Sequence, residues 1–193
     1  MSSVSTAAQK PLPDCPSAGL VLVAPGGVDP AVARRLAALL ELRLLQPVAD
    51  QWADPIRLLG DLAREPQGWL LPLALDPGAL LPAAGCWAES LAAWRQPAVL
   101  LVPAARVGTG ADRAYAALLE AEAVPLLGLV QLGGPWQPAS RRRDCLAWLG
   151  WLPAAAGGAG SEDELAEQQL RRLLRARWSL SSARVAEPGC PPA

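Results

Sequence analysis

Histidine is absent from this 193-residue chain, and lysine occurs only once, as Lys10. Without an imidazole, no Ser–His or Cys–His nucleophile can be assembled. A zinc site would have to be gathered from scattered thiolates and carboxylates. The familiar phosphate loop needs a lysine that reaches the β/γ oxygens, and Lys10 lies in a tail ahead of any regular element. Phenylalanine is missing too, while tryptophan occurs eight times, so Leu, Ala, Val and Trp must fill the interior. Cys15, Cys86, Cys145 and Cys190 form no CxxC pair. They read as free thiols, Cys86 and Cys145 as small core residues and the other two in the chain ends. Free thiols imply a reducing cytoplasm. The net charge of −1 gives no general pull toward nucleic acid.

A long uninterrupted apolar run is also lacking. The most apolar stretch, Trp69 to Trp87, is broken by Pro72, Asp76, Pro77 and Pro82. It reads as a buried strand, a loop and a helix start, not as a membrane span. Met1 to Pro16 shows no basic-then-apolar signal pattern. With 52% apolar residues the chain can bury a core, and the expected plan is a soluble protein. A flexible arm over 1–17 precedes one α/β domain over 18–178, and a disordered tail covers 179–193.

What is present alternates between strands and helices. Gly19-Leu-Val-Leu-Val-Ala24 is the short continuous apolar run of a strand covered on both faces. Pro25-Gly-Gly-Val28 turns the chain, and Asp29-Pro30 starts a helix reaching about Glu41, with Val32, Leu36, Leu39 and Leu40 inward. Leu42–Leu45 supplies a second strand. Asp54-Pro55 repeats the helix start, with Ile56, Leu58, Leu59 and Leu62 as its apolar face. Gly68–Leu75 is a third strand, placed at an edge or bulge by Pro72, and a helix follows near Cys86–Trp94.

The clearest unit has a strand at Ala98–Val102, a loop at Arg106–Gly110, a helix at Ala111–Glu122 and a strand at Pro125–Val130. That spacing predicts a parallel pair. After a loop over 133–140, Arg141–Ala147 is expected as helix and Leu149–Leu152 as a last strand. Ala154–Gly160 reads as a linker. Ser161-Glu-Asp-Glu164 opens a helix to about Trp178, with Leu170, Leu173, Leu174 and Trp178 as its stripe. Together these predict an α/β fold, a mostly parallel sheet flanked by helices on both faces.

Several segments resemble dethiobiotin synthetases. Trp94-Arg-Gln-Pro-Ala-Val-Leu-Leu-Val102 is similar to that family's "LPVLLV" segment. Val107-Gly-Thr-Gly-Ala-Asp-Arg-Ala114 is similar to its "LGTxNHxLLT" loop. Val124-Pro-Leu-Leu-Gly-Leu-Val-Gln131 resembles its "GLPVLGVVLN", and Leu149-Gly-Trp-Leu-Pro153 its "PVLGxLP". Upstream, Leu75-Asp-Pro-Gly-Ala-Leu-Leu-Pro82 is similar to "VEGAGGLLVP", and Gln46-Pro47-Val48 stands in place of "KPV". The resemblance covers about two thirds of the chain. It implies a P-loop NTPase-like three-layer architecture, and a homodimer, since that family pairs subunits around its active site.

The departures fall on the chemistry. Ala24-Pro-Gly-Gly-Val-Asp-Pro-Ala-Val-Ala-Arg-Arg35 replaces the family's "GTDxxVGKT" phosphate loop, with neither Lys nor Ser/Thr following the glycines. Gln46 replaces the "KPV" lysine, Pro77 interrupts the glycine pattern after Asp76, and Gln131 replaces the asparagine linked to adenine. The residues left to bind a ligand or nucleotide are Gly26 and Gly27 after the first strand, Asp76 and Gly78, then Arg106, Thr109 and Gly110, and Gln131. Arg141-Arg-Arg143 is a short basic run that would suit phosphate, an acidic partner or solvent. Of the tryptophans, Trp136 and Trp178 are expected to be the exposed ones.

Three functional readings follow. The first is a degenerate dethiobiotin-synthetase-like binding or regulatory module without ligase chemistry. The second is an active biotin-pathway carboxylation and ring-closure enzyme with an altered phosphate loop, which alone would call for ATP and Mg²⁺. The third is an interaction protein that docks a partner through the helix at 161–178. None calls for nucleic acid or a membrane.

Overall fold

The computed structural model describes residues 19–82, 85–154 and 161–186. The arm over 1–17, Lys10, Cys15, Cys190, most of the Ala154–Gly160 linker and the end of the chain lie outside them. In chain order the elements are β1 (Gly19–Val23), α1 (Pro30–Leu40), β2 (Arg43–Leu44), α2 (Pro55–Leu62), β3 (Trp69–Pro72), α3 (Trp87–Ala93), β4 (Ala98–Pro103), α4 (Ala111–Ala121), β5 (Leu126–Leu132), α5 (Pro138–Arg143), β6 (Trp148–Leu152) and α6 (Ser161–Ala186). The six strands form one parallel sheet in the order β2-β3-β1-β4-β5-β6. Among the described residues no helix is long and apolar enough to cross a membrane.

Side chains alternate across a strand, and the core divides accordingly. Val21, Val23, Trp69, Leu71, Leu100 and Val102 face a cluster built with α2, α3 and α4. Leu20, Leu22, Leu70, Val99 and Leu101 face a second cluster built with α1 and α6. The result is a three-layer α/β/α fold of the P-loop-like kind. The connection β1–α1–β2 passes over one face and moves toward one edge; β4–α4–β5 uses the other face and moves toward the opposite edge. The topological switch therefore lies between β1 and β4, and the crevice where such sheets hold ligands opens beyond their C-terminal ends.

Both Asp-Pro helix starts form. The Asp29 carboxylate accepts the Ala31 N–H at 2.6 Å, and that of Asp54 accepts the Arg57 N–H at 3.0 Å. The inward faces differ in detail from the expectation. α1 buries Ala33, Leu36, Ala37 and Leu40, with Val32 and Leu39 only partly covered, and Ile56 of α2 is 53% exposed.

Pro72 sits inside the sheet, not at an edge. The Leu73 N–H donates to Leu22 O at 2.9 Å, so the position of Pro72 nitrogen faces the other way, toward β2. That strand pairs only with Trp69 and Leu70 and has ended by then, so no ladder bond is lost.

Larger differences lie near the C-terminus. α5 starts at Pro138 and stops at Arg143, displaced from the expected Arg141–Ala147, because Pro138 favours the first helical turn and Cys145 has a left-handed φ of 58°. Cys145 is exposed, whereas Cys86 is in the core as expected. The helix expected to end near Trp178 continues to Ala186 as α6, so 179–186 is not a disordered tail. Its Leu170, Leu174 and Trp178 pack against the molecule's own sheet. Much of the apolar stripe on the helix expected to dock a partner is thus spent inside the fold. Trp178 is buried and Trp136 half-buried, and the exposed tryptophan is Trp94.

Because α6 packs over β5 and β6 on one sheet face, it should behave as core. Leu174→Ala is expected to cost about 2–5 kcal/mol, the range for emptying a buried leucine site, measured by urea denaturation. A loss below about 1 kcal/mol would show that α6 is not packed there.

Candidate functional site

The first candidate position is the loop after β1. Pro25 and Gly26 form a tight turn closed by the Gly27 N–H donating to Ala24 O at 3.1 Å. Gly26 and Gly27 take φ values of 82° and 100°, which glycine adopts without strain. A Cβ on Gly27 would meet Ala74 O at 2.6 Å, so the turn is pressed onto the end of β3. The Val28 N–H is also used, donating to Leu73 O at 2.8 Å. Pro30 has no N–H, and the Ala31 N–H is held by Asp29.

A phosphate cradle needs several free N–H groups converging on an anion at a helix N-terminus. Here the Gly27, Val28 and Ala31 donors are taken, and a carboxylate occupies the anion's place. The two arginines downstream do not compensate. Arg34 Nε donates back to Pro30 O at 3.2 Å, and Arg35 is bound to Glu167 and Pro153 O. These residues do not fit a nucleotide triphosphate with its metal.

The ends of β3 and β4 bring the next candidates together. Asp76 Oδ1 accepts the Gly78 N–H at 2.9 Å, and its Oδ2 accepts the Tyr115 hydroxyl, tying the β3 loop to α4. A Cβ on Gly78 would meet the Leu118 side chain at 2.9 Å. The hydrogen bond to Asp76, with burial and the carboxylate's charge adding to it, pushes the Tyr115 pKa up to about 12, and the Arg106 guanidinium opposes the shift. Arg106, Thr109 and Gly110 are exposed on the loop between β4 and α4. Thr109 Oγ1 donates to Arg106 O at 2.7 Å, and Gly110 serves as N-cap of α4 with φ 90°.

Two residues that the sequence reading did not single out as site residues organise this region. Tyr115 is the chain's one tyrosine. Asp112 is 2% exposed and accepts the Gly108 N–H at 2.9 Å, fixing the loop from below. An acidic residue just inside a helix start after Gly-Thr-Gly was the available signal for Asp112. The Tyr115–Asp76 contact, 39 residues apart, left none.

Gln131 stands apart from this group. It is 1% exposed; its Nε2 donates to Gly133 O at 2.8 Å and Pro135 O at 3.2 Å, and its Oε1 accepts from Arg141 Nε at 3.2 Å. Both ends of the amide serve the loop after β5, so it offers nothing to a base. No group of three or more His, Cys, Asp or Glu residues able to hold a metal occurs among the described residues. What this edge presents is the exposed Arg106 guanidinium near a phenol and a carboxylate that are bonded to each other.

Comparison with known proteins adds no assignment: no protein-family model matches the chain, and no curated protein matches it.

The Tyr115–Asp76 bond is directly testable, because a single tyrosine gives one ultraviolet titration at the tyrosinate band. The midpoint should lie near 12 and fall toward 10 in Asp76→Asn. A phenol with a raised folded pKa stabilises the fold fully below its unfolded pKa. That contribution disappears as pH rises through the folded value, here between about pH 10 and about pH 12. A wild-type midpoint near 10 would show that the bond is not populated.

Proposed function

We propose that the chain is a non-catalytic binding or regulatory module, a degenerate dethiobiotin-synthetase-like protein that keeps the α/β scaffold without the ATP-dependent ligase chemistry, in a reducing cytoplasm. The observation that carries this reading is the closed turn at Pro25–Asp29. Its Gly27 and Val28 N–H groups are bonded within the protein, and the Asp29 carboxylate holds the Ala31 N–H at the helix start, where a phosphate would bind. Three features in the sequence support it: the missing lysine after Gly27, Gln46 in place of the other lysine, and the absence of histidine.

The expected property follows from linkage. A ligand at 100 times its Kd adds about 2.7 kcal/mol to the folded state, roughly 5–10 °C in Tm for a domain of this size. Thermal unfolding with and without excess ATP and Mg²⁺ should give superimposable curves. A rise of several degrees would overturn the reading and restore the active-enzyme alternative.

A further inference from the structure

A cleft of about 510 Å³ lies between the sheet's edge strand β6, α5 and the first half of α6, within the range of small-molecule sites. Gly150 lines it from mid-strand in β6, two residues after Trp148 and one before Trp151. Its φ of 144° is one that L side chains rarely adopt, and a Cβ there would come within 3.7 Å of Leu170 on the α6 side of the cleft. Trp151, Leu149, Leu170 and Leu173 provide apolar walls. Leu173 is 38% exposed, so this wall is not sealed by the protein itself.

One side of the cleft is rigid. The Trp148 indole N–H donates to both Asp144 carboxylate oxygens at 3.0 and 2.9 Å, and Trp136 packs edge-on against it at 6.2 Å and 74°. The Arg141 guanidinium lies 5.1 Å from the Trp148 ring centre and 6.0 Å from that of Trp136, and reaches Asp144 at 3.6 Å. Arg142, the next residue, is exposed and forms no ion pair among the described residues. Among the described residues no carboxylate lines the cleft, while two guanidiniums do. Asp144 offsets Arg141, so one full positive charge, that of Arg142, stands beside indole and leucine surface.

From this combination we infer that the cleft binds a small planar aromatic monocarboxylate. Its ring would lie against Trp151 and the leucines, and its carboxylate would take the Arg142 fork, a geometry guanidinium matches in two parallel bonds. The site shares no residue with the closed turn after β1. ATP binding there would leave this inference standing, and failure here would leave the reading of that turn standing.

The test is titration of the full chain with 2-naphthoate, followed by tryptophan fluorescence and calorimetry. 2-Naphthalenemethanol serves as the uncharged probe of the same shape. Saturable 1:1 naphthoate binding is expected, weakened about tenfold or more for the alcohol and in Arg142→Gln, the scale of a charged hydrogen bond. Ala166→Phe, which places a ring in the cleft from α6, should abolish it. Arg142 is exposed, so its substitution cannot fail merely by unfolding the protein. No saturation up to the probe's solubility limit, equal affinity for the alcohol, or unchanged binding in Arg142→Gln would each overturn the inference.

Discussion

β1 and β4 have no face that meets water: Leu20, Val21, Val23 and every residue from Ala98 to Val102 are fully buried. Backbone N–H and C=O groups at such depth must be bonded, which is why these strands lie inside the sheet with partners on both sides. Their side chains must also be covered twice, once by α1 and α6 and once by α2, α3 and α4. The chain consequently has to leave each central strand upward and return over a helix, and its loops collect at one edge. The candidate residues from Gly26 to Gly110 meet there because of that burial, whatever chemistry they perform.

In the loop after β1 the positive end of a helix is filled by the protein's own carboxylate. The helix start needs its N–H groups satisfied, and Asp29 serves that of Ala31, a cap worth about 0.5–2 kcal/mol. A bound phosphate would have to displace that carboxylate or sit beside it. Two like unit charges 4 Å apart repel by about 1 kcal/mol in water and about 4 kcal/mol near a protein surface. Opening the turn would further break the Val28–Leu73 bond that anchors it to β3. Each effect is modest, but they act in one direction, and no lysine is placed to oppose them.

Local devices were legible in the sequence, and long-range ones were not. Asp29-Pro30 and Asp54-Pro55 announce helix starts because the cap and the fixed φ of proline act within three residues. The β4–α4–β5 unit follows from spacing alone. Pro72 misled because its effect depends on where β2 ends, which is a tertiary fact. The end of α6 was hidden for a related reason: Ser179, Ser181 and Ser182 look like a tail, while the packing of Leu170, Leu174 and Trp178 extends the helix past them. At the site, Asp76 could be named from its place after β3. Its partner Tyr115 comes from another unit of the chain, and Gln131 read as a ligand residue until Arg141 was seen to consume its amide oxygen.

The preference for arginine over lysine also acquires a structural meaning. Arg35 donates to Glu167 and to Pro153 O at once, joining α1 to α6 and to the end of β6. Arg171 and Arg175 share the Glu41 carboxylate, their hydrogen bonds holding its pKa below the usual range, and Glu41 itself closes α1 in a left-handed conformation. Exposed ion pairs of this sort add little stability singly, so their use here lies in fixing how α6 sits across α1. Arg141 stacks near two indoles while bonding an amide and a carboxylate, which requires a planar cation with several in-plane donors. An ammonium group offers a point charge and could serve only one of those contacts well. The same arginine-rich, lysine-poor composition that leaves the turn after β1 without a lysine thus supplies the ties that hold α6 and the tryptophan-lined edge in place.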